Sequence, residues 1–158
     1  SIMSQQLSVK VADVIFKRFI ALFPDGEPTP ENILDTPVAV LRSIGLSNAK
    51  VGYVHNVARF AVESGMEAAK LIAMTDEEVI SYLTPIKGVG RWTAEMLLMF
   101  ALGREDVFAV DDLGIQNAMA RLFKLDSTDK KTLKAAMLKR AKKWSPYRSY
   151  ACLHLWKS

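Results

Sequence analysis

Apolar residues return at helical spacing along almost the whole chain, and no stretch alternates strictly between apolar and polar as a half-buried strand would. Val9, Ala12, Ile15, Phe16, Phe19, Ile20 and Phe23 form one broad stripe, ended by the turn Pro24-Asp25-Gly26 with Pro28 and Pro30 beyond it. The pattern predicts an all-α fold. Thr36-Pro37 has the signature of a cap and first residue for a short helix to Ile44, closed by Gly45; Ser47 caps a longer one toward Glu63, broken at Gly65. Thr75-Asp76-Glu77-Glu78 is a capping box for a helix to about Leu83, and Trp92 to Leu102 is apolar nearly all round. Asp111 or Asp112 opens the next helix through Phe123. Ser127 or Thr128 starts a basic one to Lys143, and Ser145-Pro146 starts the last.

At 158 residues and 50% hydrophobic, the chain has the size and core of one domain, spanning 1–158. The longest apolar run, Met96 to Leu102, is far short of the roughly 20 residues of a membrane-spanning helix, so no membrane partner is expected. A lone Cys152 excludes a disulfide framework, a zinc site of the usual spacing and a four-cysteine iron–sulfur cluster, and suits a reducing intracellular setting. Ser1-Ile2-Met3-Ser4 reads as the interior of an element, so a further N-terminal segment is expected upstream.

Charge is unevenly placed. Residues 124–158 hold 10 of the 21 Lys and Arg but only Asp126 and Asp129 of the 17 acidic residues. Such a density suggests a polyanion partner, because each cation near a phosphate releases counterions. Lys130, Lys131, Lys134, Lys139, Arg140, Lys142 and Lys143 spread around their helix, so only part of them can face one partner.

Between two predicted helices lies Thr84-Pro-Ile-Lys-Gly-Val-Gly-Arg-Trp-Thr-Ala94. Two glycines there permit positive φ and close approach of backbone N–H groups to an anion, and the next helix N-terminus adds partial positive charge. Such a loop cradles a phosphate. Eighteen residues beyond Ala94 is Asp112, in Val110-Asp111-Asp112-Leu113-Gly114-Ile115. An aspartate at a helix start commonly caps free N–H groups. A second carboxylate beside it is unneeded for capping.

The hairpin, the Asp-Asp segment and the ending Trp144-Ser-Pro-Tyr-Arg-Ser-Tyr-Ala-Cys-Leu-His-Leu-Trp156 together resemble the 3-methyladenine DNA glycosylase II branch of the helix-hairpin-helix DNA glycosylase superfamily. The likeness runs from Ile2 to Trp156. It includes Ser4-Gln5-Gln6-Leu7-Ser8, similar to the family's loop that enters the DNA stack, and Ile44-Gly45-Leu46-Ser47-Asn48-Ala49-Lys50, similar to its upstream hairpin. The resemblance implies two helical lobes with the active-site cleft between them. It implies a monomer acting on double-stranded DNA, in the cytoplasm of a bacterium or the nucleus of a eukaryote.

Residue by residue, the resemblance places the essential carboxylate on Asp112 with Asp111 as its supporting neighbour, base stacking on Trp92 and Trp156, and the DNA wedge on Gln6. Lys87, Gly88, Val89, Gly90, Arg91 and Thr93 become the DNA-backbone grip. The carbonyls of Thr84, Ile86 and Val89 become the site of an optional Na+ or K+, with no other cofactor required. Trp92 stands where strand-cleaving relatives carry a Schiff-base lysine, which implies a monofunctional glycosylase without lyase chemistry. Met96, one turn on, stands where some members carry an aromatic. Tyr53, Tyr82 and Trp144 are read as packing residues, and His55 and His154 as structural.

The residue types suit the reaction. Glycosidic cleavage passes through an oxocarbenium-like sugar that a nearby carboxylate stabilises. An alkylated purine such as 3-methyladenine or 7-methylguanine is already cationic and leaves without a general acid, so one carboxylate suffices. Two alternatives stay open from sequence: a non-catalytic helix-hairpin-helix DNA-binding module, and a glycosylase for oxidised or deaminated bases.

Overall fold

The computed structural model describes residues 2–5 and 7–158, and every regular element among them is helical. The chain resolves into two compact units, Ser1–Thr93 and Ala94–Ser158. No helix among the described residues is long and apolar enough to cross a membrane.

The first unit begins with α1 (Val9–Ala21), whose N-terminus is capped by the Ser8 hydroxyl, and a 3-10 turn at Pro24–Gly26. Then come α2 (Pro30–Asp35), α3 (Val38–Ser43), α4 (Asn48–Ser64), α5 (Ala68–Ile72) and α6 (Asp76–Leu83). Ile15 and Phe19 from α1 join Phe23, Leu41, Ile44, Leu46, Val51 and Val54 in one buried cluster. Each such side chain contributes roughly 1.5–3 kcal/mol on burial, against about 1 kcal/mol for a cap, so the stripe rather than the caps decides where these helices lie. Helices α2 and α3 both pack on α4. The α4 C-terminus ends at Gly65, with φ +84, and is latched by Tyr82, whose hydroxyl donates to the carbonyls of Ser64 and Gly65 at 2.8 and 2.9 Å.

Helix α7 (Arg91–Phe100) begins three residues before the unit boundary. The second unit continues with α8 (Leu113–Phe123), α9 (Lys130–Ala141), a 3-10 turn at Lys142–Trp144 and α10 (Arg148–Lys157). Helix α8 packs against α9 and α10. The basic α9 buries Leu133, Met137 and Ala141, spaced by four, and exposes lysines elsewhere, a seam one residue wide. Trp144 packs its ring on Phe108 and Phe123, and Arg140 lies 4.0 Å over the Phe123 ring.

Several expected boundaries move for identifiable reasons. Thr36 closes α2 and Pro37 is the cap of α3, rather than Thr36-Pro37 opening one helix, because Thr29-Pro30 already begins a helix where a loop was expected. Asp129, not Ser127 or Thr128, caps α9: the Asp126 carboxylate accepts the Thr128 N–H and hydroxyl and holds those residues in a turn. The Ser145–Pro146 peptide bond is cis, and α10 starts two residues later, after Tyr147.

The segment joining α7 to α8 is tied down by α10. Arg148 grips Asp106 with Nε and Nη2 at 2.7 and 3.0 Å, and the Ser145 hydroxyl donates to the same carboxylate at 2.8 Å. The buried Ser149 hydroxyl donates to the Arg104 carbonyl and accepts the Val107 N–H. Arg148, with help from Ser145, holds the Asp106 carboxyl down to about 2, against an ordinary value of 3.8. A depressed carboxylate stabilises the fold above its unfolded pKa and loses that contribution as pH falls through the folded one. Thermal unfolding followed across pH should therefore show stability dropping between about pH 4 and about pH 2, and Asp106→Asn should shrink that drop while lowering stability at pH 7.

Candidate nucleic-acid interface and active site

The turn after α6 is built from two successive hydrogen-bonded turns, Ile86 N–H to the Leu83 carbonyl at 3.1 Å and Val89 N–H to the Ile86 carbonyl at 3.0 Å. Its two glycines differ. Gly88 has φ +104, and a Cβ there would lie 2.2 Å from the Tyr53 ring; Gly90 adopts no such φ, and a Cβ there would meet nothing within 4 Å. Only Gly88 is demanded by the backbone and by packing. Tyr53, expected to be a packing residue, is the floor of the hairpin. Asn56, one turn further along α4, donates to the Lys87 carbonyl at 3.1 Å and holds the same turn.

The side chains expected to grip DNA are in different situations. Lys87 is exposed. Arg91 makes a two-point ion pair with Glu77, at 2.6 and 3.2 Å, so a phosphate would have to share it. Thr93 is buried and its hydroxyl accepts from Gln5 at 2.9 Å, which leaves backbone N–H groups as what the hairpin can offer there. Val89 is buried. Gln6, expected as the wedge, lies outside the described residues. Trp92 sits half-buried in the first turn of α7.

In the second unit, Asp112 is the N-cap of α8. Its Oδ1 accepts the Ile115 N–H at 2.9 Å, and the same atom accepts the Trp156 indole N–H at 2.8 Å. Asp112 thus makes the helix cap that its place in the sequence offered, with a half-buried carboxylate. Trp156 also stacks on Phe100, with centroids 5.9 Å apart and an angle of 28°, so a base could meet only its opposite face. Asp111 turns to solvent and pairs with Lys134 of α9 at 2.5 Å. That ion pair joins the start of α8 to α9.

Two residues in this region escaped the sequence reading. A Cβ on Gly114 would lie 3.1 Å from the Asp112 Oδ1 and 3.2 Å from the Trp156 ring, so glycine leaves room for that hydrogen bond over the first turn. The signal was a glycine inside a helix, where it costs roughly 1 kcal/mol relative to alanine. Glu95 is 2% exposed, a carboxylate hidden in a helix that reads as apolar. Burial above all, and then the Asp112 and Glu95 carboxylates, push the Cys152 thiol up to about 11. It stays protonated at neutral pH and is no nucleophile. Of the two histidines, His55 is half-buried in α4 and its Nε2 has no hydrogen-bond partner among the described residues, whereas His154 is exposed.

Of the three carbonyls expected to hold a monovalent cation, that of Ile86 accepts the Val89 N–H. Thr84 ends α6 with its N–H and hydroxyl both on the Ile80 carbonyl, and carbonyls at a helix C-terminus carry partial negative charge. Oxygen donors of this kind are what such ions take.

Gly114→Ala should push the Asp112–Trp156 contact by a few tenths of an ångström, shifting the Trp156 indole N–H resonance in an NMR spectrum while changing thermal stability by no more than about 1 kcal/mol.

Known proteins are similar to this chain in sequence and in fold. A family model for HhH-GPD superfamily base excision DNA repair proteins matches residues 1–146. The chain is 40% identical over 161 residues to DNA-3-methyladenine glycosylase 1 of Schizosaccharomyces pombe, covering all of this chain and 69% of that one. It is 37% identical over 163 residues to YfjP of Bacillus subtilis, covering 99% of this chain and 56% of that one. The solved S. pombe 3-methyladenine DNA glycosylase in complex with abasic DNA superposes with a TM-score of 0.90 at 37% identity, over 99% of this chain and 75% of that one. The chain thus spans between about half and three quarters of the length of these relatives. On the match from the first residue to Pro146, it belongs to the HhH-GPD superfamily of base excision DNA repair proteins.

Proposed function

We propose that this chain is a monofunctional DNA glycosylase that hydrolyses the N-glycosidic bond of alkylated purines, 3-methyladenine and 7-methylguanine, in double-stranded DNA, acting as a monomer within the cell. The observation that carries this reading is the Asp112 carboxylate, fixed by two N–H donors on one oxygen. The names of the relatives, DNA-3-methyladenine glycosylase 1 of S. pombe and the B. subtilis protein YfjP described as a DNA-3-methyladenine glycosylase, support the substrate class.

The hairpin grips one strand through backbone N–H groups of Gly88 and of Gly90 to Thr93, the Val89 N–H being held by the Ile86 carbonyl, together with the α7 N-terminus and Lys87. Contacts of this kind position a protein without reading sequence. The target nucleotide leaves the stack at a cost of a few kcal/mol, least for damaged pairs. Stacking on an indole returns about 1–3 kcal/mol per base, and a cationic alkylated purine adds attraction to the ring face. The resemblance gives this role to Trp92 and, separately, to the face of Trp156 turned away from Phe100.

As the bond from C1′ to the base nitrogen breaks, its electron pair goes to the base, whose positive charge it cancels, and positive charge builds on the sugar. Asp112 stabilises that charge and receives the proton of the water that adds to C1′. The products are a neutral base and an abasic sugar. Trp92 in place of a lysine supports hydrolysis without strand cleavage, since an indole forms no Schiff base. A Na+ or K+ held by the carbonyls of Thr84, Ile86 and Val89 would lend positive charge to the phosphate grip.

Incubation with duplexes bearing 3-methyladenine, 7-methylguanine, hypoxanthine or 8-oxoguanine should release the first two bases and leave strands that break only on alkaline treatment. Release of only hypoxanthine or 8-oxoguanine moves the substrate class, and binding without release returns the chain to a DNA-holding module. Gly90→Asp tests the grip better than Gly88→Asp, which would collide with Tyr53. Placed just before α7 in open space, the new carboxylate should leave thermal stability unchanged or raised and weaken binding to all duplexes on the order of tenfold.

A further inference from the structure

The N-terminal turn is bonded to the DNA-gripping hairpin rather than only packed near it. The Gln5 side-chain amide donates from Nε2 to the Gly88 carbonyl at 3.2 Å and to the Thr93 hydroxyl at 2.9 Å, spanning the hairpin from its tip to the first turn of α7. Lys50 of α4 donates from Nζ to the carbonyls of Gln5 and Met3, at 2.7 and 3.2 Å, and burial lowers its pKa. The turn is closed by Gln5 N–H on the Ile2 carbonyl and Leu7 N–H on the Ser4 carbonyl. All of these bonds lie within the first unit.

Chemistry explains why such fastening matters. Gly88 and Thr93 are the two ends of the segment whose N–H groups would face a phosphate. A turn bonded to both ends is carried to the DNA with the hairpin and cannot recoil from it without breaking bonds inside the grip. A base leaves the stack more readily when something rigid presses on the duplex beside it, and the cost of eversion must be met by elements that do not yield.

We propose that Gln5 is a positioning residue, with Lys50 behind it, that couples phosphate capture by the hairpin to eversion of the target base by locking the N-terminal turn onto Gly88 and Thr93. This rests on the glycosylase reading above. It makes the turn part of the base-everting machinery through its attachment rather than through any contact of Gln5 with the reacting atoms.

The experiment uses this chain with Gln5→Met, which keeps side-chain length but removes both donors, and separately with Lys50→Met. Each is measured for affinity to undamaged duplex, for single-turnover release of 7-methylguanine, and for the fluorescence rise of a 2-aminopurine beside the target base, which reports unstacking. Both variants should bind undamaged duplex within about twofold of the parent, yet lose roughly tenfold or more in release and most of the fluorescence rise. The double variant should be little worse than the worse single one, because both hold one turn.

Undamaged-duplex affinity falling in step with release would show Gln5 merely propping up the hairpin and overturn the proposal, as would unchanged release and fluorescence. Should Gln5→Met fail to fold, Lys50→Met gives the same readouts. A parent chain that unstacks the probe but releases no base refutes the glycosylase reading while the fluorescence still decides the coupling. A parent chain that unstacks nothing refutes both.

Discussion

One carboxylate oxygen organises the second unit. Asp112 Oδ1 takes the Ile115 N–H, which starts α8, and the Trp156 N–H, which fixes that start against the last turns of α10. An oxygen holding two donors has a set direction, and a carboxylate with a set direction is what stabilisation of a developing sugar cation requires. The surroundings hold that direction. Gly114 keeps the space above the first turn open, and Phe100 backs the indole. Asp106, Ser145 and Ser149 fasten the incoming segment to α10, so the cap and the tryptophan it meets belong to one braced piece. Asp111, next in the chain, is spent on Lys134.

The hairpin would answer a different need in the proposed function, holding a polyanion without choosing among sequences. Its shape depends on Gly88, whose hydrogen lies over the Tyr53 ring where any side chain would collide. Arg91 is balanced by Glu77, so the cation density at the loop is lower than its sequence suggests. In the proposed function, fixed backbone dipoles and the α7 N-terminus would carry the grip, rather than an arginine already engaged by Glu77.

Much of this was legible in the sequence because it was local. Helical spacing, the capping box at Thr75, the Ser47 cap and the Gly65 stop all act within four residues of chain, and all appear where expected. Boundaries slipped where two local signals competed: Thr29-Pro30 with Thr36-Pro37, Asp126 with Asp129, and Pro146 with Arg148. Asp112 could be located, though not its bond to Trp156, since 44 residues separate the partners and no period links them. Gln5 reaches over 83 and 88 residues for the same reason without local sign, and Glu95 is disguised by the apolar helix that buries it.

The placement of Asp112 separates its two duties cleanly. Asparagine caps a helix as well as aspartate and can accept the same two N–H donors, but carries no charge, whereas alanine loses cap and charge together. Single-turnover release of 7-methylguanine, measured beside thermal unfolding, should fall by at least about a hundredfold in Asp112→Asn with stability held, and equally in Asp112→Ala with about 1 kcal/mol of stability lost. Release at the parent rate by a folded Asp112→Asn would leave Asp112 as a helix cap and nothing more.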